Sequence, residues 1–501
     1  MSWLWTILAV FLTCIFARYH WSRRRLYQLA VKLDGPPSLP LIGCTLPFLF
    51  NKTEGKYLKN YLAEASLVTE ANCPARFWLG PELIVAFKDP QHVEKILASS
   101  KFSHKHDIYE FLKCFLGEGL ITSSGPKYKP HKKVIQPIFN LNFSKDCVPV
   151  FEKHIKTCVE HLDACVGSDH FNIGHFIHSC TADIIGEILF GYSFKAQQKQ
   201  STEYMTAFVD IYKVAFERLV KPWLHPDWTF GISSSGKRHK QICDLSLELM
   251  RKVMDELKKR KNILLCKSSP DDSFPTPVID KVARIWEDNS ELFDSHDLWF
   301  HMITLYMASQ DTIALIVSAT CLCLGMYPDY QERVVQEIDN VFGNCRAVAV
   351  EDIGKLAYLD MCVKDVFRLF PIAPYILRKT VADQQIDKLV LPKGCGIIIP
   401  IYNVHKDPRY WTNPEDFHPD HFLPEAEERR PSCTYIPFSA GPRGCIGKIF
   451  ANVSVKVMLV HLLRRFKIEA AGKMPDVRCT MDISVRALRG YNVKIRRRVA
   501  K

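Results

Sequence analysis

The sequence of 501 residues lacks a regular cysteine framework, because none of its 18 cysteines forms a Cys-x-x-Cys pair. In a chain of this length, that absence argues against a disulfide scaffold and favours reduced thiols in a compartment facing the cytosol. A recognisable nucleic-acid-binding module is missing too. The net charge of +12 is therefore better explained by anionic lipid or an acidic protein partner than by nucleic acid.

Charge is absent from the first part of the chain, since Trp3–Ala17 is apolar and the first charged residue is Arg18. Roughly 17 residues at a helical rise span about 26 Å, just enough for a bilayer core. Basic residues follow this stretch, the reverse of a cleaved signal peptide, and by the positive-inside rule they keep the body cytosolic. We predict a membrane anchor at residues 1–20, a basic, proline-rich hinge at 21–43 and one domain at 44–501. A buried core helix is the alternative interpretation of the apolar stretch.

Helix-breaking residues are absent between Ser295 and Gly325. This predicts one helix of about 30 residues and about 45 Å, with Ser295 as its N-cap. The middle of this mostly apolar stretch contains Asp311 next to Thr312, and a buried aspartate is costly without a partner. Either Thr312 bonds back to a helical carbonyl while Asp311 faces water, or the pair carries chemistry.

Glycine and proline are concentrated instead in Pro437–Ala451, which holds three glycines, two prolines and Cys445. The glycines remove Cβ clashes, so that the backbone can coil tightly beside something flat and bulky. Cys445 lies where a following helix would begin, and the positive end of a helix favours a thiolate. Phe438 can shield the sulfur from water, and Arg443 can meet an anion. A small buried hydrophobic cysteine is the alternative.

The ordered set in this loop resembles the haem-binding signature of the cytochromes P450, the haem-thiolate monooxygenases. Its members are Phe438, Gly441, Arg443, Cys445 and Gly447. The surrounding sequence resembles the family 4 clan of eukaryotic enzymes. The resemblance implies a mainly α fold with a small β region, a triangular helical prism that holds haem b between the long helix and the cysteine loop. It also implies that Cys445 is the axial ligand of the haem iron.

The same resemblance assigns roles to the long helix. In the family, the threonine hydroxyl hydrogen-bonds the dioxygen that the haem binds, and the acid helps to relay protons from solvent. Thr312 and Asp311 are the candidate catalytic residues. Two positions depart from the family pattern: Ser309 replaces a glycine, and Ala308 stands where many family 4 enzymes carry a glutamate bonded to haem. We therefore expect haem to be held without that covalent bond.

Further cofactor-binding candidates are basic or aromatic. Tyr128 and Lys132 share one helix face at a spacing of four residues, where the family has Trp and Arg against a haem propionate. Arg378 matches the family residue that pairs with a propionate, as Arg443 does. An ordinary solvated basic face is the alternative for Tyr128 and Lys132.

The family also braces its cysteine loop with a buried Glu-x-x-Arg motif and a third arginine. Here Asp365 and Arg368 occupy the first two positions, and His421 replaces the arginine. We expect a weaker, pH-sensitive brace, and we expect Asp365→Glu with His421→Arg to raise haem retention on heating.

The remaining pattern predicts a hairpin at Ala75–Phe87 and an irregular aromatic segment at Lys101–Gly119, which the resemblance places in the substrate pocket. Helices are predicted at Gln91–Ala98, Asp146–Cys165, Ile173–Leu189, Tyr204–Val220 and Gly236–Lys261. Strands are predicted within Pro371–Lys379, Lys388–Ile401 and Val485–Arg497.

The resemblance implies monooxygenation of a hydrophobic fatty acid, hormone or xenobiotic. Electrons would come from NADPH through the flavoprotein cytochrome P450 reductase, docked near Lys448, with cytochrome b5 as a possible second partner. The endoplasmic reticulum membrane is the expected location. Alternatives are a haem-binding carrier or sensor with little turnover, and a haem-thiolate isomerase. A zinc protein is disfavoured, because Cys445 has no spaced Cys or His partners.

Overall fold

The computed structural model of the protein describes residues 2–39, 43–44, 74–199, 202–266, 276–289, 291, 294–343 and 348–498. Helices dominate these residues, and the strands form four small sheets, which confirms the predicted mainly α class. In chain order the helices are α1 (Ser2–Ser22), α2 (Arg24–Val31), α3 (Pro90–Ala98), α4 (Lys113–Leu116), α5 (Gly125–Ile135), α6 (Leu141–Asp146), α7 (Val148–Asp163), α8 (Gly174–Phe190), α9 (Thr202–Val220), α10 (Asp227–Ile232), α11 (Ser234–Cys266), α12 (Val278–Asp288), α13 (Ser295–Met326), α14 (Pro328–Phe342), α15 (Val350–Ile353), α16 (Ala357–Leu369), α17 (Ile401–Val404), α18 (Pro424–Arg429) and α19 (Lys448–Arg465).

Four sheets are present among the described residues. The strands are β1 (Ala75–Leu79), β2 (Glu82–Ala86), β3 (Phe171–Asn172), β4 (Ile376–Lys379), β5 (Gln384–Ile386), β6 (Leu389–Leu391), β7 (Gly396–Ile399), β8 (Phe466–Glu469), β9 (Cys479–Met481), β10 (Val485–Ala487) and β11 (Asn492–Arg497). The largest sheet has the order β1-β2-β7-β4, and only its β2–β7 pair is parallel. The other sheets are β3-β11-β8, β5-β6 and β9-β10.

The long helix α13 is confirmed as one unbroken element through the middle of the fold. Its N-cap is Asp294, not the predicted Ser295: the Asp294 carboxylate accepts hydrogen bonds from the backbone N–H of His296 and Asp297, both at 2.8 Å. The Asp297 carboxylate in turn accepts from the backbone N–H of Asp294 at 3.0 Å, which completes a capping box. Helices α8, α16 and α19 pack around α13, so it forms the centre of the main apolar core.

The other predicted elements are confirmed with small shifts at their ends. The helix predicted from Asp146 begins at Val148, because Pro149 occupies the first turn, where its missing N–H costs nothing. The predicted hairpin turns at Gly80-Pro81, with Leu79 opposite Glu82.

Two helices in the described part of the chain are long and apolar enough to cross a membrane. Trp3–Ser22 is not buried anywhere in the protein, whereas His296–Met326 is largely buried and is the core helix α13. The segment predicted as a hinge contains α2, which buries Leu26 and Leu29 in a core cluster with the large sheet. Only Arg23 separates α1 from α2.

Candidate functional site

The cysteine loop is closed by its own backbone. The Cys445 N–H donates to the carbonyl of Phe438 at 2.9 Å, and the Gly444 N–H donates to the carbonyl of Gly441 at the same distance. Helix α19 begins at Lys448, so Cys445 lies just before the helix, as predicted. The ring of Phe438 packs on Phe367 of α16 with centroids 5.0 Å apart. The loop is therefore seated on the helix that carries the brace.

The glycines of this loop are not equivalent, contrary to the expectation that all three relieve clashes. Gly441 has a φ of +64°, and a Cβ there would lie 2.0 Å from the carbonyl oxygen of Leu97 at the end of α3. Gly447 has a φ of −91°, and its nearest neighbour would be the Cys445 sulfur at 4.0 Å. The protein itself therefore requires a glycine at position 441, whereas no described protein atom would crowd a Cβ at position 447.

The Cys445 side chain is exposed on the surface of the protein chain. Dense surrounding protein nevertheless raises the pKa of the Cys445 thiol through burial, and a hydrogen bond from the Gly447 backbone with the charges of Lys132 and Lys448 only partly offsets it. The predicted preference for a thiolate is therefore not met by the helix start alone. A bound metal ion is what would deprotonate this thiol.

Arg443 joins the loop to the segment before α5. Its Nε donates to the carbonyl of Ser103 at 2.8 Å and its Nη2 to that of Ser123 at 2.7 Å. The guanidinium carbon lies 3.3 Å from the ring centroid of Tyr128, while the buried Nη1 has no hydrogen-bond partner. The Nε and Nη2 groups of Arg443 are therefore fixed by hydrogen bonds to the backbone, whereas its Nη1 has a hydrogen to donate.

Tyr128 and Lys132 lie on the same face of α5, as predicted, and both reach the cysteine loop. The Tyr128 hydroxyl donates to the carbonyl of Pro442 at 3.1 Å, and Lys132 Nζ donates to the same oxygen at 2.7 Å. Arg378 on β4 is almost fully buried, and its Nη1 donates to the carbonyl of Leu377 on its own strand at 2.9 Å. These contacts bring the four predicted cofactor-binding residues on α5, β4 and the loop to one side of the site.

Sequence reasoning missed Lys105, which a backbone bridge pairs with Arg378. Burial, together with repulsion from Arg378 and Arg443, holds the pKa of Lys105 well below its usual value. Burial likewise lowers the pKa of Arg378 and of Lys132, and it lowers that of Arg443 to about 10. Within the described ranges, no carboxylate forms a salt bridge with any of these four cations. Such a cluster fits a flat cofactor with two carboxylates at its edge, as haem has.

Helix α13 carries the two candidate catalytic residues and the two positions that depart from the family pattern. Ala308 is exposed and Thr312 is half-buried. The Thr312 hydroxyl donates to the carbonyl of Ala308 at 2.6 Å, and the Ser309 hydroxyl donates to that of Leu305 at 2.6 Å. The expectation that Thr312 can bond back to its own helix is therefore met, and Ala308 offers no carboxylate for a covalent bond to a cofactor.

Asp311 does not face water, because its side chain is buried and paired. Arg486 on β10 donates to both carboxylate oxygens, at 3.0 and 2.5 Å. His178 on α8 lies 3.9 Å away. Burial is the largest single influence and raises the pKa of Asp311, but the charge of Arg486, the nearby His178 and the hydrogen bonds from Arg486 together hold the pKa below its usual value. Arg486 lies 175 residues further along the chain, and no local sequence signal indicated it.

The brace is closed rather than weakened. Asp365 and Arg368 are fully buried, with Nε to Oδ1 at 2.6 Å and Nη2 to Oδ2 at 3.2 Å. His421 Nδ1 lies 3.1 Å from the Asp365 carboxylate and its Nε2 lies 2.7 Å from the carbonyl of Thr412. The Asp365 carboxylate and the Thr412 carbonyl are both acceptors, and His421 places one ring nitrogen against each of them, in the position of the arginine that it replaces.

Burial alone raises the pKa of Asp365, but Arg368 and His421 hold it below its usual value. The resulting stabilisation is present at neutral pH and is lost as the pH falls through the lowered pKa.

The brace reaches the cysteine loop through a histidine that the sequence did not suggest. Arg368 Nη1 donates to the carbonyl of His405, and the His405 ring nitrogen Nε2 accepts from the backbone N–H of Ile436 at 2.8 Å. Burial lowers the pKa of His405 to about 3, so its ring stays neutral and keeps this acceptor. Ile436 is the residue just before the loop, so His405 connects the buried ion pair to the loop by two hydrogen bonds.

The closed geometry reverses the expectation for the brace. Asp365→Glu with His421→Arg adds atoms to a network that is already full, and overpacking of this kind costs about 1–3 kcal/mol. We expect the double variant to melt at a lower temperature and to lose haem sooner on heating, as followed by absorbance. Glu425→Asp, on the exposed helix α18, is the control. A higher melting temperature for the double variant would contradict this prediction.

An apolar pocket lies between the large sheet, the end of α9 and the aromatic segment. The pocket encloses about 950 Å³ of empty space when the solvent-filled opening is included. Tyr109 and Phe111, from the predicted pocket segment, line it, whereas Phe102 and Phe115 lie in the cores. Asp482 is the one acidic residue among those that line the pocket.

Comparisons with known proteins agree with this arrangement. The family described as Cytochrome P450 matches residues 34–494. The chain is 31% identical over 490 residues to "Cytochrome P450 4c3" of Drosophila melanogaster, covering 95% of this chain and 91% of that protein. It is 32% identical over 432 residues to "Cytochrome P450 4V2" of Homo sapiens, covering 85% and 82% respectively. A third relative is "Cytochrome P450 4c21" of Blattella germanica, at 30% identity with 95% of each chain covered.

Proposed function

The chain belongs to the cytochrome P450 family, and on that premise we propose that it oxygenates a hydrophobic fatty acid, hormone or xenobiotic with electrons from NADPH. Haem with a thiolate ligand supplies the activation of dioxygen, by which one oxygen atom enters the substrate and the other leaves as water. The observation that carries the proposal is an exposed cysteine, Cys445, next to a cluster of cations. Among the described residues, no carboxylate forms a salt bridge with any of these cations.

The cofactor we propose is haem b, held by Cys445 and by charge. Arg378, Arg443, Lys105 and Lys132 would hold its two carboxylates, and the unsatisfied Nη1 of Arg443 is the most direct donor. Ala308 supports non-covalent binding because its methyl group cannot form an ester.

Thr312 and Asp311 are the proposed proton-transfer groups. The Thr312 hydroxyl would break its hydrogen bond to the carbonyl of Ala308. It would then be free to donate on the side of α13 where Ala308 is exposed. Asp311, the preceding residue, would resupply the proton from solvent. Its two oxygens must first loosen their hold on Arg486.

Electrons are proposed to come from the NADPH–cytochrome P450 reductase of the same membrane, with cytochrome b5 as a further donor. The supporting surface is basic: Lys129 and Lys133 of α5 and Lys448 of α19 are exposed around the cysteine loop. A cationic surface of this kind steers an acidic partner toward the sulfur side of the site. The exposed apolar helix Trp3–Ser22 and the arginines after it support an N-terminal anchor in the endoplasmic reticulum, with the catalytic domain cytosolic.

Two measurements test the function in sequence. A carbon-monoxide difference spectrum of the ferrous protein should carry the band of a thiolate-ligated haem, and Cys445→Ser should remove it. NADPH consumption is then measured with reductase and a panel of fatty acids, neutral lipids and xenobiotics. A thiolate spectrum without product from any substrate would contradict the proposal.

Thr312→Ala should lower product formed per NADPH by roughly 100-fold, the low end of what a positioned proton-transfer group contributes. The diverted electrons should appear as hydrogen peroxide. Thr320→Ala is the matched control, because Thr320 makes the same bond to a carbonyl four residues earlier on the same helix but is fully buried in the core. Equal coupling in both variants would remove Thr312 from the mechanism.

A haem-binding carrier or sensor with little turnover is the second candidate. The observation that favours it is the pairing of both Asp311 oxygens with Arg486, which keeps that carboxylate from proton transfer. Tight haem binding together with negligible NADPH consumption at every substrate would favour this alternative.

A further inference from the structure

Arg486 lies between two carboxylates that belong to different parts of the site. Its Nη1 and Nη2 meet Asp311 on α13 at 3.0 and 2.5 Å. Its Nε lies 3.2 Å from the carboxylate of Asp482, in the turn between β9 and β10. The side chain of Arg486 is only 15% exposed, so solvent screens neither pair strongly.

The charges in this cluster do not balance. Two carboxylates share one guanidinium, and the next nearest base, His178, is neutral because burial lowers its pKa to about 4. Among the described residues that face Asp311, Arg486 is the one full positive charge. The attraction of either carboxylate for Arg486 is therefore in competition with that of the other.

The two carboxylates, Asp311 and Asp482, belong to different parts of the site. Asp311 precedes Thr312, the proposed proton donor. Asp482 and its neighbour Ile483 line the apolar pocket. The Asp482 side chain is itself 11% exposed. A ligand in the pocket would remove the water that still reaches it, and charge pairs attract more strongly as water is excluded. Arg486 would then move toward Asp482 and away from Asp311.

We propose that Arg486 is a positioning residue that couples occupancy of the apolar pocket to the availability of Asp311. With the pocket empty, Arg486 holds both Asp311 oxygens; with the pocket filled, Asp482 draws Arg486 away. This coupling rests on the proposed monooxygenase function. It adds control to the reaction, because Asp311 becomes available when a substrate is present to be oxygenated.

The test uses the full-length holoprotein and dodecan-1-ol, a neutral probe that adds no carboxylate signal of its own. Binding is followed by the shift of the haem absorption band, and Asp311 by infrared difference spectra with and without the probe. We expect the probe to change a carboxylate band that is absent in Asp311→Asn. Asp482→Asn should bind the probe but abolish this change, since Arg486 then has no second carboxylate.

Arg409→Gln is the matched control, because Arg409 donates to both carboxylate oxygens of Asp407, as Arg486 does to Asp311, but its own side chain is 52% exposed; this variant should keep the change. With a substrate found by turnover, Asp482→Asn should lower product per NADPH about fivefold, the low end of typical coupling between sites. Probe binding with an unchanged Asp311 band in the parent protein, an unaltered change in Asp482→Asn, or failure of the probe to bind would each overturn the proposal. Failure of the parent protein to turn over any substrate would overturn the proposed function instead, since the infrared result needs binding alone.

Discussion

Replacing Arg368 with methionine should lower the free energy of unfolding by about 3–5 kcal/mol, the cost of leaving a buried charge without its partner. Asp365 would keep its carboxylate at zero exposure, with only His421 and the backbone N–H of His418 against it. The carbonyls of Pro414 and Asp416 would also lose their donor. We expect poor haem retention too, since the link through His405 to the cysteine loop would be lost.

Thermal unfolding and the rate of haem transfer to an acceptor protein measure these two effects. Asp365→Asn together with Arg368→Met should recover part of the loss, because removing both charges costs less than stranding one. Arg465→Met is the matched control: Arg465 pairs with Asp163 at 2.7 Å, but its side chain is 49% exposed, and such pairs contribute about 0–1 kcal/mol. Equal melting temperatures for Arg368→Met and Arg465→Met would show that the buried pair does not brace the fold.

Gly441→Ala should damage the site almost as severely, through geometry rather than charge. A left-handed backbone costs an alanine about 1–2 kcal/mol. The overlap with the Leu97 carbonyl at 2.0 Å must also be relieved by moving the loop or the end of α3. We expect a total loss of at least about 3 kcal/mol and a greatly reduced thiolate band in the carbon-monoxide spectrum.

Gly447→Ala separates this effect from a general intolerance of the loop. Its backbone is in an ordinary region and its Cβ would meet no described protein atom closer than 4.0 Å, so the melting temperature of this variant, measured on the haem-free protein, should match that of the haem-free parent. A similar drop in melting temperature for both variants would contradict the assignment of Gly441 as the constrained position.

Local sequence signals were sufficient for much of the fold. The absence of breakers between Ser295 and Gly325 predicted α13, and alternation around Gly80-Pro81 predicted the first hairpin. The errors lie at the first residues of helices, where a single side chain determines the helix start. Asp294 is the N-cap of α13 because its carboxylate accepts hydrogen bonds from two backbone N–H groups. Pro149 moves a helix start because it has no N–H to bond.

Candidate site residues could be named from the sequence where a motif is short and continuous, as around Cys445 and at Asp311–Thr312, and their roles remain proposals. The site was not predictable where partners are distant in sequence. Nothing beside Asp311 indicates Arg486, and nothing beside Asp365 indicates that His421 Nε2 would find the carbonyl of Thr412. The expected weak brace was an inference from residue type alone, and the folded geometry supplies contacts that residue type does not contain.

The single residue between α1 and α2 has a consequence for motion. Arg23 is hydrogen-bonded to the carbonyl of Pro81, and α2 is part of the core. Almost no flexible linker therefore separates α1 from the body of the protein. If the proposed anchor lies in a bilayer, the body would rotate and diffuse together with it, at a restricted height and tilt. The encounter with the proposed membrane-bound electron donor would then be a search in two dimensions, in which rotation about the membrane normal is the main remaining variable.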